Sequence, residues 1–189
     1  MLHIALLIQH RLQVQVQIER TPFILKLDPS ARHPLQAWKG DRLVAETLIP
    51  SHHPWKIVTA NVDGKCPYDV AIGVREKTHQ LKFEHNTIFV MHFDGKTIAR
   101  KWAGSTLGAD FSDFAFASQG HHKPDLLITL DKPVTGGTQL VTREWNGFGF
   151  HLVGRPKVLI NATDLQVSGN IITANQNGKR VSFELRGLL

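Results

Sequence analysis

Cysteine is almost absent from this chain, which has Cys66 as its single example among 189 residues. One cysteine excludes an internal disulfide and any zinc site built from several cysteines. The hydrophobic content of 42% is enough to bury a complete core, so stability requires neither a disulfide nor a metal. We therefore expect Cys66 to be a reduced, packed thiol.

Long hydrophobic runs are also lacking. No stretch approaches the roughly 20 consecutive apolar residues that a helix needs to cross a bilayer. The apolar run that follows Met1 is short, and it has neither a basic segment before it nor a small-residue cleavage site after it. The sequence predicts synthesis in a cytoplasm without a signal peptide, no membrane partner, and a first strand that begins almost at Met1.

Positive charge is in excess but is not concentrated in one place. The net charge of +6 and the pI of about 9.7 are compatible with a nucleic-acid partner. However, no window contains a run of Lys and Arg, and residues 151–189 hold 5 basic residues against 2 acidic ones. This pattern is more typical of a basic surface than of a nucleic-acid-binding site, so nucleic acid is not the favoured partner.

Common catalytic and cofactor-binding motifs are missing. The chain has no G-x-S-x-G nucleophile turn, no phosphate-binding G-x-x-x-x-G-K-[ST] loop and no H-E-x-x-H zinc motif. We predict no catalytic residue, no cofactor and no metal ligand, and hence a protein that is not an enzyme.

Histidine is frequent, with 11 examples that include the adjacent pairs His52-His53 and His121-His122. Each pair comes shortly before a proline, which favours an extended loop. Neighbouring side chains of an extended chain point in opposite directions, so such a pair seldom binds one metal ion without further ligands. Surface loops are the favoured interpretation of both pairs.

The clearest strand pattern lies near the N-terminus, where four apolar residues between Leu12 and Ile18 alternate with Gln13, Gln15 and Gln17. A period of two predicts a strand with one dry face and one polar face. The polar face carries amides and no charge, which suits contact with water or with another protein. We therefore take the three glutamines as candidate interface residues.

Turn signals divide the rest of the chain into short strands. Asp94-Gly95 predicts a hairpin inside a meander over residues 79–102, with strands expected at 80–84, 87–93 and 96–102. At the C-terminus, Gly169 and the pair Asn177-Gly178 separate three β-prone runs between Lys157 and Leu189. These signals predict an ordered antiparallel sheet at the end of the chain.

One helix is predicted, over about residues 105–118. Leu107, Phe111 and Phe114 form an apolar stripe at helical spacing, while Asp110 and Asp113 fall outside it. Many short strands with at most this one helix indicate a mainly β protein, an antiparallel β-sandwich or open barrel. We expect a single domain over residues 1–189, with a subdomain boundary, if there is one, near 103–125.

The most distinctive local composition is the aromatic stretch from Trp145 to His151, which contains Trp145, Phe148 and Phe150 beside an asparagine and two glycines. Exposed aromatic rings can stack on sugars or bases, or anchor a protein interface. An aromatic-rich core hairpin is the alternative interpretation of the same pattern. We take these three residues as candidate interface or ligand contacts.

The run from Ile160 to Ile171, which reads INATDLQVSGNI, resembles segments of bacteriophage tail and baseplate proteins. The resemblance covers the C-terminal stretch only, and residues 1–156 show no matching family pattern. It implies a non-enzymatic β-domain that is made in the cytoplasm and assembles into a virion.

Four functional hypotheses follow. The first is a structural or assembly protein, a virion component in the specific form, which acts through protein interfaces as a homo- or hetero-oligomer. The second is a β-sandwich module that binds carbohydrate through Trp145 and Phe148. The third is a basic nucleic-acid-binding protein, and an enzyme built from dispersed His and Asp residues comes last.

Overall fold

A computed structural model describes the following residues of the protein: 12–47, 53–65, 69–79, 81–104, 107–120 and 122–189. Over these residues the chain forms strands and one short 3₁₀ helix, Leu185–Leu188, and no α-helix. The strands are β1 (Gln13–Ile18), β2 (Thr21–Leu27), β3 (Leu35–Lys39), β4 (Arg42–Thr47), β5 (Lys56–Ala60), β6 (Asp69–Glu76), β7 (His85–Phe93), β8 (Ile98–Ala103), β9 (Asp110–Ala117), β10 (Leu126–Lys132), β11 (Thr138–Trp145), β12 (Phe150–Leu159), β13 (Ala162–Ser168), β14 (Ile171–Gln176) and β15 (Lys179–Glu184). The predicted mainly β class is confirmed.

The strands form four small sheets in two compact units. Unit 1, residues 1–60 and 67–104, contains sheet 1 (β1-β2-β3-β4) and sheet 2 (β5-β6-β7-β8). Unit 2, residues 61–66 and 105–189, contains sheet 3 (β12-β11-β10-β9) and sheet 4 (β13-β14-β15). Every strand pairing is antiparallel. The expectation of a single domain stays a prediction.

Unit 1 has one hydrophobic core, to which sheets 1 and 2 both contribute. On β1 the predicted alternation is confirmed, since Val14, Val16 and Ile18 pack toward this core while the glutamines between them are exposed. The partner strand β2 alternates in the same way, and its Phe23 meets Phe93 of β7 edge to face at 5.2 Å between ring centroids. The buried members of the core are Val16, Phe23, Leu25, Leu27, Leu35, Ala37, Ile57, Val70, Ile72, Val74, Phe89, Met91 and Phe93.

Unit 2 has its own core between sheets 3 and 4. Strand β10 is buried at every position from Leu126 to Asp131, which is why its sequence is a nearly continuous apolar run and does not alternate. The 3₁₀ helix closes this core with Leu185 and Leu188. The other buried members are Ala115, Ala117, Leu126, Ile128, Leu130, Leu140, Leu159, Ala162, Leu165, Ile172 and Ala174.

The predicted hairpin turns are confirmed. Asn177 and Gly178 link β14 to β15 with φ of 50° and 78°, the two positive values that a two-residue hairpin turn requires. Asp94 and Gly95 link β7 to β8, and Asp94 Oδ1 accepts hydrogen bonds from Thr97 N at 2.6 Å and Lys96 N at 2.8 Å. These backbone donors, with the Thr97 hydroxyl, lower the pKa of Asp94 from 3.8 to about 2, because they stabilise the ionised carboxylate.

The predicted helix over residues 105–118 is wrong, because residues 110–117 are strand β9. A register shift opposite Leu130 places two residues of β9, Ser112 and Asp113, against one residue of β10. This β-bulge brings Phe111 and Phe114 onto the same side, where their rings meet at 6.2 Å, although residues three apart in a regular strand point to opposite faces. Because of this bulge, two phenylalanines at helical spacing in the sequence share one face of a strand.

Asp113 was expected on a polar helix surface but is buried. Its Oδ2 accepts a hydrogen bond from Leu165 N at 3.1 Å, which joins sheet 3 to sheet 4, and its Oδ1 accepts one from Phe114 N at 2.9 Å. A backbone donor from another sheet cannot be inferred from local spacing.

The predicted meander over residues 79–102 is shifted along the chain. Residues 81–84 are not a strand, and His85 and Asn86, where a turn was expected, begin β7. The meander is β6-β7-β8, and Glu76 pairs with His85.

Four residues that entered the sequence predictions, Met1, His52, Cys66 and His121, lie outside the described residues. Within the described residues, no helix is long and apolar enough to cross a membrane.

Candidate functional site

The aromatic stretch of unit 2 is the turn of the β11–β12 hairpin. Trp145 ends β11 and Phe150 begins β12, so residues 146–149 form the tip. Asn146 Oδ1 accepts hydrogen bonds from Phe148 N at 3.1 Å and Gly149 N at 2.9 Å, and Asn146 N donates to Gly149 O at 3.0 Å. Three bonds within four residues hold the tip in one shape.

The three aromatic candidates have different surroundings. Trp145 and Phe150 are cross-strand partners whose rings meet edge to face at 5.2 Å, and Phe150 also contacts Phe116 of β9 at 6.0 Å. Both of these side chains are half-buried. Phe148 projects from the tip and is 87% exposed. Trp145 and Phe150 thus form the base of the hairpin, and Phe148 is the exposed ring of the three.

Strand β12 continues the exposed apolar surface that begins at Phe148. Leu152 is 53% exposed, Val158 is 71% exposed, and Ile160, just after the strand, is 58% exposed. In the described part of the chain, β12 is an edge strand with β11 as its one neighbour in the sheet. We call the exposed side chains along this edge, which are these four apolar residues together with Arg155 and Lys157 between them, the β12 edge surface.

A large irregularity shapes the middle of β12. Leu140 pairs with Lys157 and Thr142 with Val153, so residues 154–156 lie opposite the single residue Val141. Gly154 within this bulge has φ of +69°, and a Cβ atom there would overlap the carbonyl oxygen of Leu188. The 3₁₀ helix can pack against β12 at this point because the residue is glycine.

The β12 edge surface is basic as well as apolar. Strand β12 contains His151, Arg155 and Lys157, all exposed, and no acidic residue. Lys157 Nζ lies 4.6 Å from the ring centroid of Phe183 on β15, a cation–π contact that holds the ammonium group at the sheet surface. Apolar side chains beside fixed cations are a combination that suits binding to a protein with carboxylates.

The glutamine candidates lie on unit 1. Gln13, Gln15 and Gln17 are exposed on β1, an edge strand of sheet 1. On the same face, Lys26 is paired with Gln13 and places its Nζ 5.4 Å from the ring centroid of Trp38. The predicted polar face is therefore a row of amides bordered by a cation and a half-buried aromatic ring.

A cluster of ionisable groups on sheet 2 was not foreseen from the sequence. The fully buried carboxylate of Asp69 on β6 contacts Lys101 Nζ at 2.7 Å and His92 Nδ1 at 3.3 Å. Lys101 is the extra residue of a β-bulge between the pairs Val90–Trp102 and Met91–Arg100. The three residues are far apart in sequence and match no motif, so only strand pairing brings them together. The Lys101 ammonium group offsets the buried carboxylate charge and the His92 ring gives it a second polar contact, which accounts for the cluster as a structural feature.

A buried network on sheet 3 was also missed. Arg143 of β11 donates to both carboxylate oxygens of Asp131 on β10, to the Thr129 hydroxyl and to the Leu107 carbonyl. The Thr129 hydroxyl in turn donates to Asp131 Oδ1 at 2.6 Å. Since the guanidinium and the carboxylate are almost fully buried, the network fixes the strands next to β12 and the candidate surface with them.

An open cleft of about 430 Å³ lies at the opposite end of sheet 3 from the hairpin tip. Its polar lining residues are Ser112, Lys132, Thr138, Asn161 and Thr163. The volume is within the range of small-molecule sites, but those sites are mostly apolar and aromatic. None of the described residues that line the cleft is aromatic, so it differs from a typical ligand pocket.

The histidine pairs are described in part. His53 and His122 have positive φ values of 39° and 65°, while their neighbours lie outside the described residues. In the part of the chain that the structure covers, no three His, Cys, Asp or Glu side chains are grouped closely enough to hold a metal ion. The strong lowering of a carboxyl pKa, that of Asp94 to about 2, arises in the β7–β8 turn.

Comparison with known proteins adds no relative to this description. The chain matches no protein-family model, no curated protein and no solved structure.

Proposed function

We propose that this protein is a non-enzymatic assembly protein that binds other proteins through the β12 edge surface. One observation carries the proposal: of the nine large hydrophobic side chains exposed in the described residues, four lie between Phe148 and Ile160. Exposed apolar surface of this kind marks interaction sites, and proteins usually cover or protect an exposed edge strand.

The hairpin tip supplies an anchor for such a partner. Phe148 is exposed on a turn that the Asn146 side chain holds in place, so little conformational freedom is lost when the ring is buried in a partner. Aromatic residues presented in this way often contribute most of the binding free energy of an interface. Trp145 and Phe150 support the anchor by packing on each other beneath it.

We further propose that the assembly is a bacteriophage virion and that the protein belongs to its tail or baseplate. The resemblance of residues 160–171 supports this, and those residues include β13. A virion component contacts more than one neighbour, and the exposed amides of Gln13, Gln15 and Gln17 offer a second surface for that purpose.

For the fold, we infer that each unit is a small β-sandwich. In support, sheets 1 and 2 contribute to one core in unit 1, and sheets 3 and 4 contribute to one core in unit 2. Two antiparallel sheets that bury their facing side chains in one core are typical of a sandwich.

Size-exclusion chromatography with light scattering, recorded at 260 and 280 nm, tests the proposed function. The protein is co-expressed with the products of the genes adjacent to its own. We expect it to elute in a complex, and we expect the double variant Phe148→Ser, Leu152→Ser to elute alone. Val134→Ser is the matched control, because Val134 is an exposed apolar residue of unit 2 in a turn outside β12.

Two results would contradict the proposal. One is a wild-type protein that stays monomeric beside every co-expressed neighbour, and the other is a complex that the double variant retains. An excess of absorbance at 260 nm that is removed by high salt would favour the nucleic-acid alternative instead. Circular dichroism of both variants checks that the fold is intact, as expected for exposed side chains.

A further inference from the structure

The charges on β12 restrict which partner the β12 edge surface can bind. Across the sheet, His151 is paired with Glu144, but Lys157 is paired with Leu140, and Arg155 lies in the bulge, where three residues share the apolar Val141 as their one neighbour on β11. Among the described residues, neither Arg155 nor Lys157 forms an ion pair. Two exposed cations therefore lie along the same edge strand as the apolar residues without a carboxylate to balance them. Lys157 is on the opposite face of the strand from Leu152, because their partners Leu140 and Arg143 are on opposite faces of β11.

A second copy of this chain is a poor occupant of the surface. Two β12 strands brought together would place Arg155 and Lys157 of both copies in one interface that contains no acidic residue of β12. Like charges facing each other across strands are destabilising. In addition, Pro156 has no backbone N–H and sits in the bulge, so a continuous ladder of hydrogen bonds through residues 154–156 cannot form.

An extended segment of a different protein avoids both problems. It can run beside Phe150–Val153, where β12 is regular and keeps its pairing with β11, and contact Phe148 and Leu152 with its own apolar side chains. Carboxylates on the same segment would balance Arg155 and Lys157. Phe150 and Leu152 share one face of sheet 3, because they are paired with Trp145 and Arg143, two residues apart on β11.

We infer that the β12 edge surface binds an extended acidic segment of another polypeptide, in which apolar residues alternate with Asp or Glu, and does not bind a second copy of this chain. The inference rests on the proposed function and names the chemistry of its partner. Apolar contacts supply the attraction, and the unbalanced cations select an acidic segment over a neutral or basic one.

Fluorescence anisotropy with three labelled seven-residue peptides tests the inference at low salt. The first peptide alternates Val and Glu, the second alternates Val and Lys, and the third alternates Ser and Glu. We expect the Val–Glu peptide to bind at least about tenfold more tightly than either of the others, since cross-strand charge pairs each contribute modestly and two are available. The preference should shrink as salt is added.

Charge reversal on the protein provides the matched test. The double variant Arg155→Glu, Lys157→Glu should prefer the Val–Lys peptide. Lys39 is an exposed lysine at the end of β3 in unit 1, so the control variant Lys39→Glu should keep the preference for the Val–Glu peptide. Because all three side chains are exposed, folded variants are expected, and circular dichroism verifies them.

Each other outcome overturns the inference. Equal binding of Val–Glu and Val–Lys peptides refutes the acidic partner but leaves the β12 edge surface as a docking surface, which the co-expression experiment judges separately. Equal binding of the Ser–Glu peptide shows charge attraction alone, and no binding of any peptide at millimolar concentration also refutes the inference. Self-association of the purified protein that Leu152→Ser abolishes identifies a second copy as the occupant.

Discussion

Replacing Arg143 with methionine should destabilise unit 2 by about 3–5 kcal/mol, because the substitution leaves a buried carboxylate without its counter-charge. The side chains of Arg143 and Asp131 are each only 6% exposed, and Arg143 Nη2 donates to Asp131 Oδ2 at 2.6 Å. In the variant, Asp131 would keep the hydrogen bond from the Thr129 hydroxyl and lose every donor that the guanidinium provides. A loss of this size is a large fraction of the 5–15 kcal/mol by which a domain is usually stable.

The chain offers two controls for this prediction. Glu84→Gln breaks the ion pair between Arg75 Nε and Glu84 Oε2, which are 3.5 Å apart on side chains that are 51% and 55% exposed, and should cost at most about 1 kcal/mol. The double variant Arg143→Met, Asp131→Leu removes both buried charges together, so it should recover much of the stability that the single variant loses.

Urea denaturation followed by circular dichroism measures the free energy of unfolding for the three variants. Hydrogen exchange with mass spectrometry then locates the effect, and faster exchange is expected in peptides from β10 and β11. The reasoning is refuted if Arg143→Met costs no more than Glu84→Gln. It is also refuted if the double variant is as unstable as Arg143→Met.

Three further predictions concern the turns and cores. Gly154→Ala should lower the melting temperature more than Gly169→Ala. Both glycines have a similar positive φ, but of the two only Gly154 is so close to backbone that a Cβ atom would overlap the carbonyl oxygen of Leu188. Equal effects of the two substitutions would contradict this reasoning. Leu25→Ala should cost about 2–5 kcal/mol in urea denaturation, while the partly exposed neighbour Ile24→Ala should cost clearly less, and a reversed order would show that the assigned strand face is wrong. Because folding lowers the pKa of Asp94 from 3.8 to about 2, the ionised carboxylate stabilises the folded protein fully above pH 3.8. This stabilisation is lost as the pH falls through about 2. The melting temperatures of wild type and Asp94→Asn should therefore converge between pH 5 and pH 2, and a gap that is independent of pH would refute this assignment.

The sequence indicated which types of residue form the candidate site, but it did not indicate how their side chains are arranged. The composition around Trp145 indicated contacts with a partner, and the glutamines of β1 indicated a polar face. Only the structure distinguishes exposed Phe148 from the packed pair of Trp145 and Phe150, because that difference depends on which residues form the turn. The exposure of Leu152 and Val158 depends on the position of β12 at a sheet edge, which sequence does not encode locally.

The sequence by itself determined the strand-and-turn character of the chain. Alternation on β1 and the turn pairs Asp94-Gly95 and Asn177-Gly178 act through the conformational preferences of neighbouring residues, so they are readable without a partner. Tertiary structure alone decided the rest. The bulge in β9 that brings Phe111 and Phe114 together, and the ion pair of Arg143 with Asp131, require a register between strands. Register is a property of two strands together, and no single stretch of sequence specifies it.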